Sequence, residues 1–267
     1  MKRTHKSFQI AITLVSGLLI ALSEPGFANN PNANIRDARQ GLPGRRISGG
    51  SRSPETACLL NGDNSGENRK VVALAPESNL SRTAMAHPTF WFALPAVNTD
   101  RSIEFSLTTQ DEEVIYSQTF KPTGKAGLTA ISLPKTAPEL SEDQTYQWHL
   151  SVVCDRSSRA TDLLVWGYIE RTSLQPSQRQ RTTRVEGQGP VNLYEQLAAW
   201  NDALTALFDL HRDRVLNNQP TADLESKWTA LLASENLGQQ IAISKTMSLT
   251  SRPVELIGLE TPLEDSR

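Results

Sequence analysis

Of the four histidines, three lie beyond residue 28, and histidine is the side chain that most often serves as a general base or a metal ligand. His87, His149 and His211 are far apart in the sequence. No HExxH zinc motif, no cluster of Cys and His and no G-x-S-x-G nucleophile turn accompanies them. The sequence therefore predicts no catalytic residue, no metal site and no cofactor.

The best cluster of polar side chains lies in the turn that follows Cys154. Asp155, Arg159 and Asp162 stand close together there. Such a cluster could act on a substrate, or its charges could simply brace the turn, which is the commoner role of paired charges around turns. We favour the structural role.

A Gly-rich stretch at 44–51, GRRISGGS, superficially resembles a phosphate-binding loop. The resemblance fails because Gly50 stands before Ser51, where such a loop requires Lys. Residues 29–57 as a whole are rich in Asn, Pro, Gly, Ser and Arg and show no apolar period. They predict an irregular arm laid against the folded domain.

The first 28 residues have the pattern of a secretory signal peptide. Three cations precede an uncharged apolar run at 8–22, and small residues lead to a predicted cleavage site between Ala28 and Asn29. The run is shorter than the roughly 20 residues that a spanning helix needs. The alternative is an uncleaved anchor. We expect a periplasmic or secreted protein with no integral membrane segment after cleavage.

Composition and charge limit the classes of fold and of partner that the chain can have. The chain has 267 residues, 38% apolar and 21% charged, enough for a substantial core. Without residues 1–28 it keeps 24 Lys and Arg against 28 Asp and Glu. Because this balance is acidic, a nucleic-acid partner is disfavoured.

Cys58 and Cys154 are the two cysteines, and both survive signal cleavage. An even number of cysteines in an oxidising compartment usually pairs, so the sequence predicts a disulfide between them. The alternative is two buried thiols that act as small apolar core residues.

Residues 58–172 predict an all-β domain. Short apolar runs are separated by turn residues, which is typical of an antiparallel sandwich. The predicted strands lie at 71–75, 89–94, 102–108, 114–120, 128–133, 146–154 and 163–169. About seven strands is the number found in an immunoglobulin-like sandwich, and the polar stretch at 109–113 predicts a hairpin between the third and fourth.

A tyrosine supports the sandwich. Tyr146 follows a polar corner at 140–145, as does the tyrosine that bonds back to the corner in such folds. Cys58, Trp91 and Cys154 also follow the order Cys, Trp, Cys. The domain is not of the antibody type, because Tyr146 lies eight residues before Cys154 instead of two.

A helical segment is predicted after the β-domain. Residues 173–190 read as a linker, 191–245 as a helical hairpin and 246–267 as a disordered tail. The first helix has an apolar face that repeats every three or four residues, and the second runs over 222–234. The face of the first helix consists of Leu193, Leu197, Trp200, Leu204, Leu207 and His211.

The helices carry two tryptophans on their apolar faces. Trp200 and Trp228 predict a packed core between the helices or against the sandwich, since aromatic side chains supply large buried areas. A ligand platform is the alternative. Asn236 predicts a left-handed residue that closes the second helix.

Four motifs resemble the cyanobacterial domain-of-unknown-function 928 (DUF928) family over about residues 44–237. They are PTFWF at 88–92, YQW at 146–148 leading to Cys154, GYIER at 167–171 and WNDAL at 200–204. Tyr168 departs from the Trp that the family would lead us to expect. The resemblance implies an exported cyanobacterial protein of unassigned activity, and it supplies no chemistry.

The function that follows is a non-catalytic, periplasmic or secreted interaction module with a protein partner in the cell envelope. The alternative is a hydrolase or a glycan-acting enzyme whose site cannot be recognised from the sequence. An enzyme should gather titratable side chains in a concave pocket, which the structure can reveal.

Overall fold

The computed structural model describes residues 42–48, 58–60, 70–182, 187–237 and 256–259. The predicted signal peptide and its cleavage site between Ala28 and Asn29 lie outside these residues, as do most of the predicted arm and tail. The architecture is α+β, as predicted.

The strands match the predicted runs closely. The strands of the described residues are β1 (Val72–Ala73), β2 (Leu80–Thr83), β3 (Thr89–Leu94), β4 (Ser102–Thr108), β5 (Val114–Lys121), β6 (Gly127–Ser132), β7 (Thr145–Val153), β8 (Leu163–Arg171) and β9 (Ile257–Leu259). The sequence did not predict β2 or β9. Both are short, and β2 has a mixed polar composition, LSRT, that gives no strand signal.

The strands form two sheets. The smaller sheet has the order β1-β3-β6 and is antiparallel. The larger has the order β2-β8-β7-β4-β5, with β9 at the β5 edge, and only its β2–β8 pair is parallel. The predicted β4–β5 hairpin is present, closed by the Thr109 N–H donating to the Glu113 carbonyl at 2.9 Å.

The main core lies between the two sheets. Phe90 and Phe92 project from one face of β3, as the alternation predicts, and meet side chains of the larger sheet. The ring centroids of Phe90 and Phe105 are 5.0 Å apart, and those of Phe92 and Trp148 are 5.7 Å apart. These contacts bury the inner faces of both sheets.

Helices cover the other face of the smaller sheet. The described helices are α1 (Pro176–Thr182), α2 (Gly189–Gln196), α3 (Trp200–Leu216) and α4 (Ala222–Ser234). Trp91, on the face of β3 opposite Phe90, packs on Phe208 of α3 with ring centroids 4.8 Å apart. Its indole N–H donates to the Thr205 hydroxyl at 3.0 Å. The smaller sheet is therefore the middle layer, and β3 is buried on both faces.

The prediction of one continuous first helix was wrong. Helix α2 ends at Gln196, Ala198 takes a left-handed φ of 53°, and α3 begins at Trp200. The start of α3 is attached to β3 of the smaller sheet, because the Asn201 amide donates to the Thr89 carbonyl at 2.9 Å. A tertiary contact overrides the helical period at this point.

Helix α1 lies in the stretch predicted as a linker, where α2 also begins. None of its residues is buried, so it has no apolar face that a periodicity could reveal. An ion pair of 2.7 Å between Arg179 and Glu142 ties it to the corner before β7.

The predicted closing residue Asn236 is confirmed by its φ of 56°. Within the described ranges no helix has the length and apolarity needed to cross a bilayer.

Candidate functional site

The predicted disulfide between Cys58 and Cys154 is present, with the two α-carbons 4.7 Å apart. Both residues are buried, and they join positions separated by 96 residues. The Cys58 carbonyl accepts the Asn98 N–H at 2.9 Å, so the segment around Cys58 is also hydrogen-bonded to the connection between β3 and β4.

Asp162 organises the turn that follows Cys154. One carboxylate oxygen accepts the backbone N–H of Cys154 at 3.0 Å, and the other accepts the Ser151 hydroxyl at 3.0 Å. Arg159 donates from Nε to Asp162 at 2.6 Å and from Nη2 to Glu104 at 2.7 Å. Because these groups satisfy one another, they hold the turn on the ends of β4 and β7.

Asp155 has a separate partner in the same turn. The backbone N–H and the hydroxyl of Ser157 donate to its carboxylate at 2.8 Å and 2.7 Å. These hydrogen bonds lower the pKa of Asp155. The structure therefore joins Arg159 to Asp162, gives Asp155 a local partner, and supports a bracing role for the turn.

The three histidines lie at separate places. The His87 ring is 3.1 Å from a backbone carbonyl, the His149 ring stacks on Trp166 at 6.0 Å, and His211 lies 3.9 Å from Glu225. Burial lowers the pKa of His149 and of His211. Among the described residues, no three His, Cys, Asp or Glu side chains are close enough to hold a metal ion.

The Gly-Arg-Arg segment joins the two sheets. Arg45 exchanges two backbone hydrogen bonds of 2.9 Å with Trp166 of the larger sheet. Two residues later, Ile47 forms a bridge with Val72 of the smaller sheet. Gly49, Gly50 and Ser51 of the stretch that resembles a phosphate-binding loop lie outside the described residues.

Arg46 extends this link to the helices. Its guanidinium donates to the Ala75 carbonyl at 3.0 Å and to the Glu235 carbonyl at 2.8 Å, just after α4. Gly44 leaves room for Asn79, because a β-carbon at Gly44 would lie 2.6 Å from that side chain. We call residues 44–47 the clasp, because they link the two sheets to the end of α4.

A cleft of about 320 Å³ opens beside this clasp, between the connection from β1 to β2 and the helices. Its size is at the lower end of the range for small-ligand sites. Most of its wall is apolar, and four charged residues line it. The apolar side chains include Leu80, Ala198, Trp200, Ala203 and Leu231, and the charged ones are Glu77, Arg82, Glu195 and Glu235.

Two aromatic residues form the floor of the cleft. Trp200 and Tyr194 are each 7% exposed. The Trp200 indole N–H donates to the Leu74 carbonyl at 2.6 Å, which fixes the ring. Burial, with the neighbouring Asp202 carboxyl, raises the pKa of Tyr194 to about 12, so its hydroxyl stays protonated.

Two of the four charged side chains are paired. Arg82 lies 3.4 Å from Glu170 on the neighbouring strand β8. Glu195 lies 2.8 Å from the ammonium group of Lys227 on α4. These pairs brace the walls and leave little charge for a ligand at either position.

Glu77 and Glu235 form what we call the acidic mouth. The Glu77 N–H donates to the Glu235 carboxylate at 2.9 Å, and the Asn236 amide donates to the Glu77 carboxylate at 2.8 Å. Neither carboxylate forms an ion pair within 4.0 Å in the part of the chain that the structure describes. The acidic mouth therefore presents negative charge next to an apolar wall.

Asp202 lies behind the cleft and does not line it. It accepts the Thr83 hydroxyl at 2.7 Å and the Ala84 N–H at 2.6 Å, which attaches α3 to the end of β2. Burial raises the pKa of Asp202 to about 6, against the effect of these two hydrogen bonds. With both oxygens occupied, the group acts as an anchor for the floor.

Sequence reasoning missed every charged residue of the cleft. Glu77 and Glu235 are 158 residues apart and meet only through the packing of α4 on the β1–β2 connection. No spacing rule predicts such a pair. Trp200 does line the cleft, although the apolar period of its helix predicted it as a core residue.

Comparison with known proteins gives a family and no function. No curated protein and no solved structure matches the chain significantly. The family model described as Domain of Unknown Function (DUF928) matches residues 47–246, which is well over half of the chain. The chain belongs to the DUF928 family.

Proposed function

We propose that this protein is an exported, non-catalytic interaction module of the cell envelope, and that the cleft binds a segment of a protein partner. The cleft is the observation that carries the proposal. It combines an apolar wall, an aromatic floor fixed by the Trp200–Leu74 hydrogen bond, and an acidic mouth. Pockets of this kind bind by apolar burial, with a few polar groups that set orientation.

The proposed frame is an immunoglobulin-like sandwich followed by a helical hairpin of α3 and α4. Two observations support it. The inner faces of the sheets share one core. The Tyr146 hydroxyl accepts the Ser141 N–H at 2.9 Å, which is the corner contact that the sequence predicted.

Export is supported by the N-terminal pattern and by the Cys58–Cys154 disulfide. A reporter fused to residues 1–32 should cross the inner membrane. Mass spectrometry of the exported protein should find Asn29 at its N-terminus. An intact Met1 on the exported protein contradicts cleavage, and a product that sediments with membranes supports the anchor instead.

Blocking the cleft tests the binding role. Leu231 lines the cleft, so Leu231→Arg should fill it with a long charged side chain. Val114→Arg is the matched control, because Val114 is 61% exposed and belongs to β5, which does not line the cleft. Partners that co-purify from the envelope fraction should be lost with Leu231→Arg and retained with Val114→Arg. Equal recovery from both variants overturns the role of the cleft.

A hydrolase or glycan-acting enzyme is the second candidate. The observation that favours it is that three carboxylates, those of Glu77, Glu195 and Glu235, line one concavity. An enzyme should turn over a glycan or peptide substrate and lose turnover in Glu77→Gln. Binding without turnover in the same assay supports the module.

A further inference from the structure

The charges of the cleft are unequally compensated. Arg82 and Glu195 are paired with Glu170 and Lys227, as described above. In the described part of the chain, the side-chain carboxylates of Glu77 and Glu235 receive hydrogen bonds only from neutral donors, a backbone N–H and an amide. The acidic mouth is thus the part of the cleft where an incoming charge meets unneutralised carboxylates.

Arg46 is a cation beside the acidic mouth, since it contacts the Glu235 backbone, and its influence is limited. Its guanidinium donates to the backbone carbonyls of Ala75 and Glu235, not to a carboxylate. Glu77 and Glu235 both act on Arg46 through space. One cation against two carboxylates leaves about one net negative charge at the mouth, so an anionic ligand is disfavoured and a cationic one is attracted.

The backbone adds to this preference. Helix α4 ends at Ser234, and Glu235 caps its C-terminus. The C-terminal end of a helix carries partial negative charge, which stabilises a nearby cation. Leu231 lies four residues before Glu235, so the apolar wall and the carboxylate share one face of the helix end.

We propose, building on the binding role above, that the cleft recognises a protein segment in which Lys or Arg adjoins an apolar side chain. The cationic group lies at the carboxylates of Glu77 and Glu235. The apolar neighbour packs on Leu231 and on the aromatic floor at Trp200. Both parts are required, because a charge at an exposed mouth adds little affinity alone and the apolar wall alone sets no orientation.

Three matched dipeptides test this: acetyl-Leu-Lys-amide, acetyl-Leu-Gln-amide and acetyl-Leu-Glu-amide, titrated at low salt and followed by NMR. The Lys probe should bind about five-fold more tightly than the Gln probe, and the Glu probe should be the weakest. The difference should shrink at about 0.5 M salt, because exposed charges are screened.

The matched variants are Glu77→Gln, Glu235→Gln and their combination. Gln keeps an acceptor for the Asn236 amide or the Glu77 N–H, so each change removes charge and retains the hydrogen bond. The preference for Lys should fall in each variant and vanish in the double variant. Asp111→Asn, an exposed site outside the cleft, should leave the preference unchanged.

Two results overturn the inference and separate it from the proposed function. Equal binding of the three probes, with shifts confined to the cleft, leaves the binding role standing and removes the charge preference. Absence of binding by every probe also rejects the inference. The binding role itself then stands or falls with Leu231→Arg in the partner experiment.

Discussion

The turn after Cys154 and the acidic mouth both contain carboxylates and an arginine, but they use these groups in opposite ways. In the turn, Asp162 accepts hydrogen bonds from Ser151, Cys154 and Arg159, all within eleven residues. At the mouth, Glu77 and Glu235 come from positions 158 residues apart and meet no cation at ion-pair distance among the described residues.

The difference distinguishes the supporting role of the turn from the recognition role that we propose for the acidic mouth. Charges that satisfy one another locally stabilise a chain reversal and have no capacity left for a ligand. Carboxylates that accept hydrogen bonds only from neutral donors, beside an apolar wall, keep their charge free to pair with a cationic ligand. The fold only holds them in position. Mutations should therefore reduce stability at the turn and affect binding at the mouth.

Removing the disulfide, which lies next to the turn, should give the largest loss of stability. Cys58→Ser should lower the free energy of unfolding by up to about 4.7 kcal/mol, because the bridge closes a loop of nearly a hundred residues. Cys58→Ser with Cys154→Ser should be little worse than the single change, since one bond is lost in both. Denaturant unfolding measures both, and two free thiols in the denatured, unreduced wild type contradict the bridge.

Trp200→Ala should come next, and it removes the floor under the cleft. The ring is buried and its N–H satisfies the Leu74 carbonyl, so truncation should cost about 3–5 kcal/mol. Thermal unfolding checks the loss. A change below about 1 kcal/mol would contradict a core role for the ring.

The Asp202 carboxyl, which anchors the floor of the cleft, should make the free energy of unfolding depend on pH. Its folded-state pKa, about 6, is raised above the usual value of 3.8, so its contribution to stability is complete below about pH 4. That contribution is lost as the pH rises through 6, by about 3 kcal/mol in total for a shift of this size.

A comparison of variants isolates the pH effect. Asp143, Asp155 and Asp223 have lowered pKa values and act in the opposite direction, since their stabilisation is lost as the pH falls. The destabilisation caused by Asp202→Asn should therefore be measured at each pH. It should be largest near pH 4 and smaller at pH 7, whereas a constant difference would contradict the raised pKa.

The sequence was informative wherever a signal is local. A strand over residues 89–94 places Phe90 and Phe92 on the face opposite Trp91, and the two faces do pack in different clusters. The position of Tyr146 after the polar corner predicted its hydrogen bond to that corner. The α+β architecture and the Cys58–Cys154 disulfide followed from similar local patterns and from an even cysteine count.

The cleft could not be predicted, because it depends on packing between distant elements. The apolar period ran unbroken through Ala198, although contacts of Trp200 and Asn201 with the sheets divide the helix there. In the sequence, nothing marks Glu77 and Glu235 as a pair. Only the position of α4 against the β1–β2 connection gives them a shared role.

The smallest effects test the comparison most directly, through one carboxylate from each region. The Asp162 side chain is 6% exposed, so Asp162→Asn should leave a donor facing the donors of Cys154 or Ser151 and cost about 1–3 kcal/mol. Glu77 is exposed, and Glu77→Gln keeps its bond to Asn236, so its stability should change by less than about 0.5 kcal/mol.

Urea unfolding of Asp162→Asn and Glu77→Gln in parallel, at low and at high salt, measures both changes. The Asp162→Asn loss should persist at high salt, because a buried carboxylate is screened much less than an exposed one. The same two proteins titrated with acetyl-Leu-Lys-amide should show the reverse order, with affinity reduced only in Glu77→Gln. If Glu77→Gln destabilises the fold as much as Asp162→Asn does, the acidic mouth is a structural brace like the turn, and the proposed division between support and recognition is wrong.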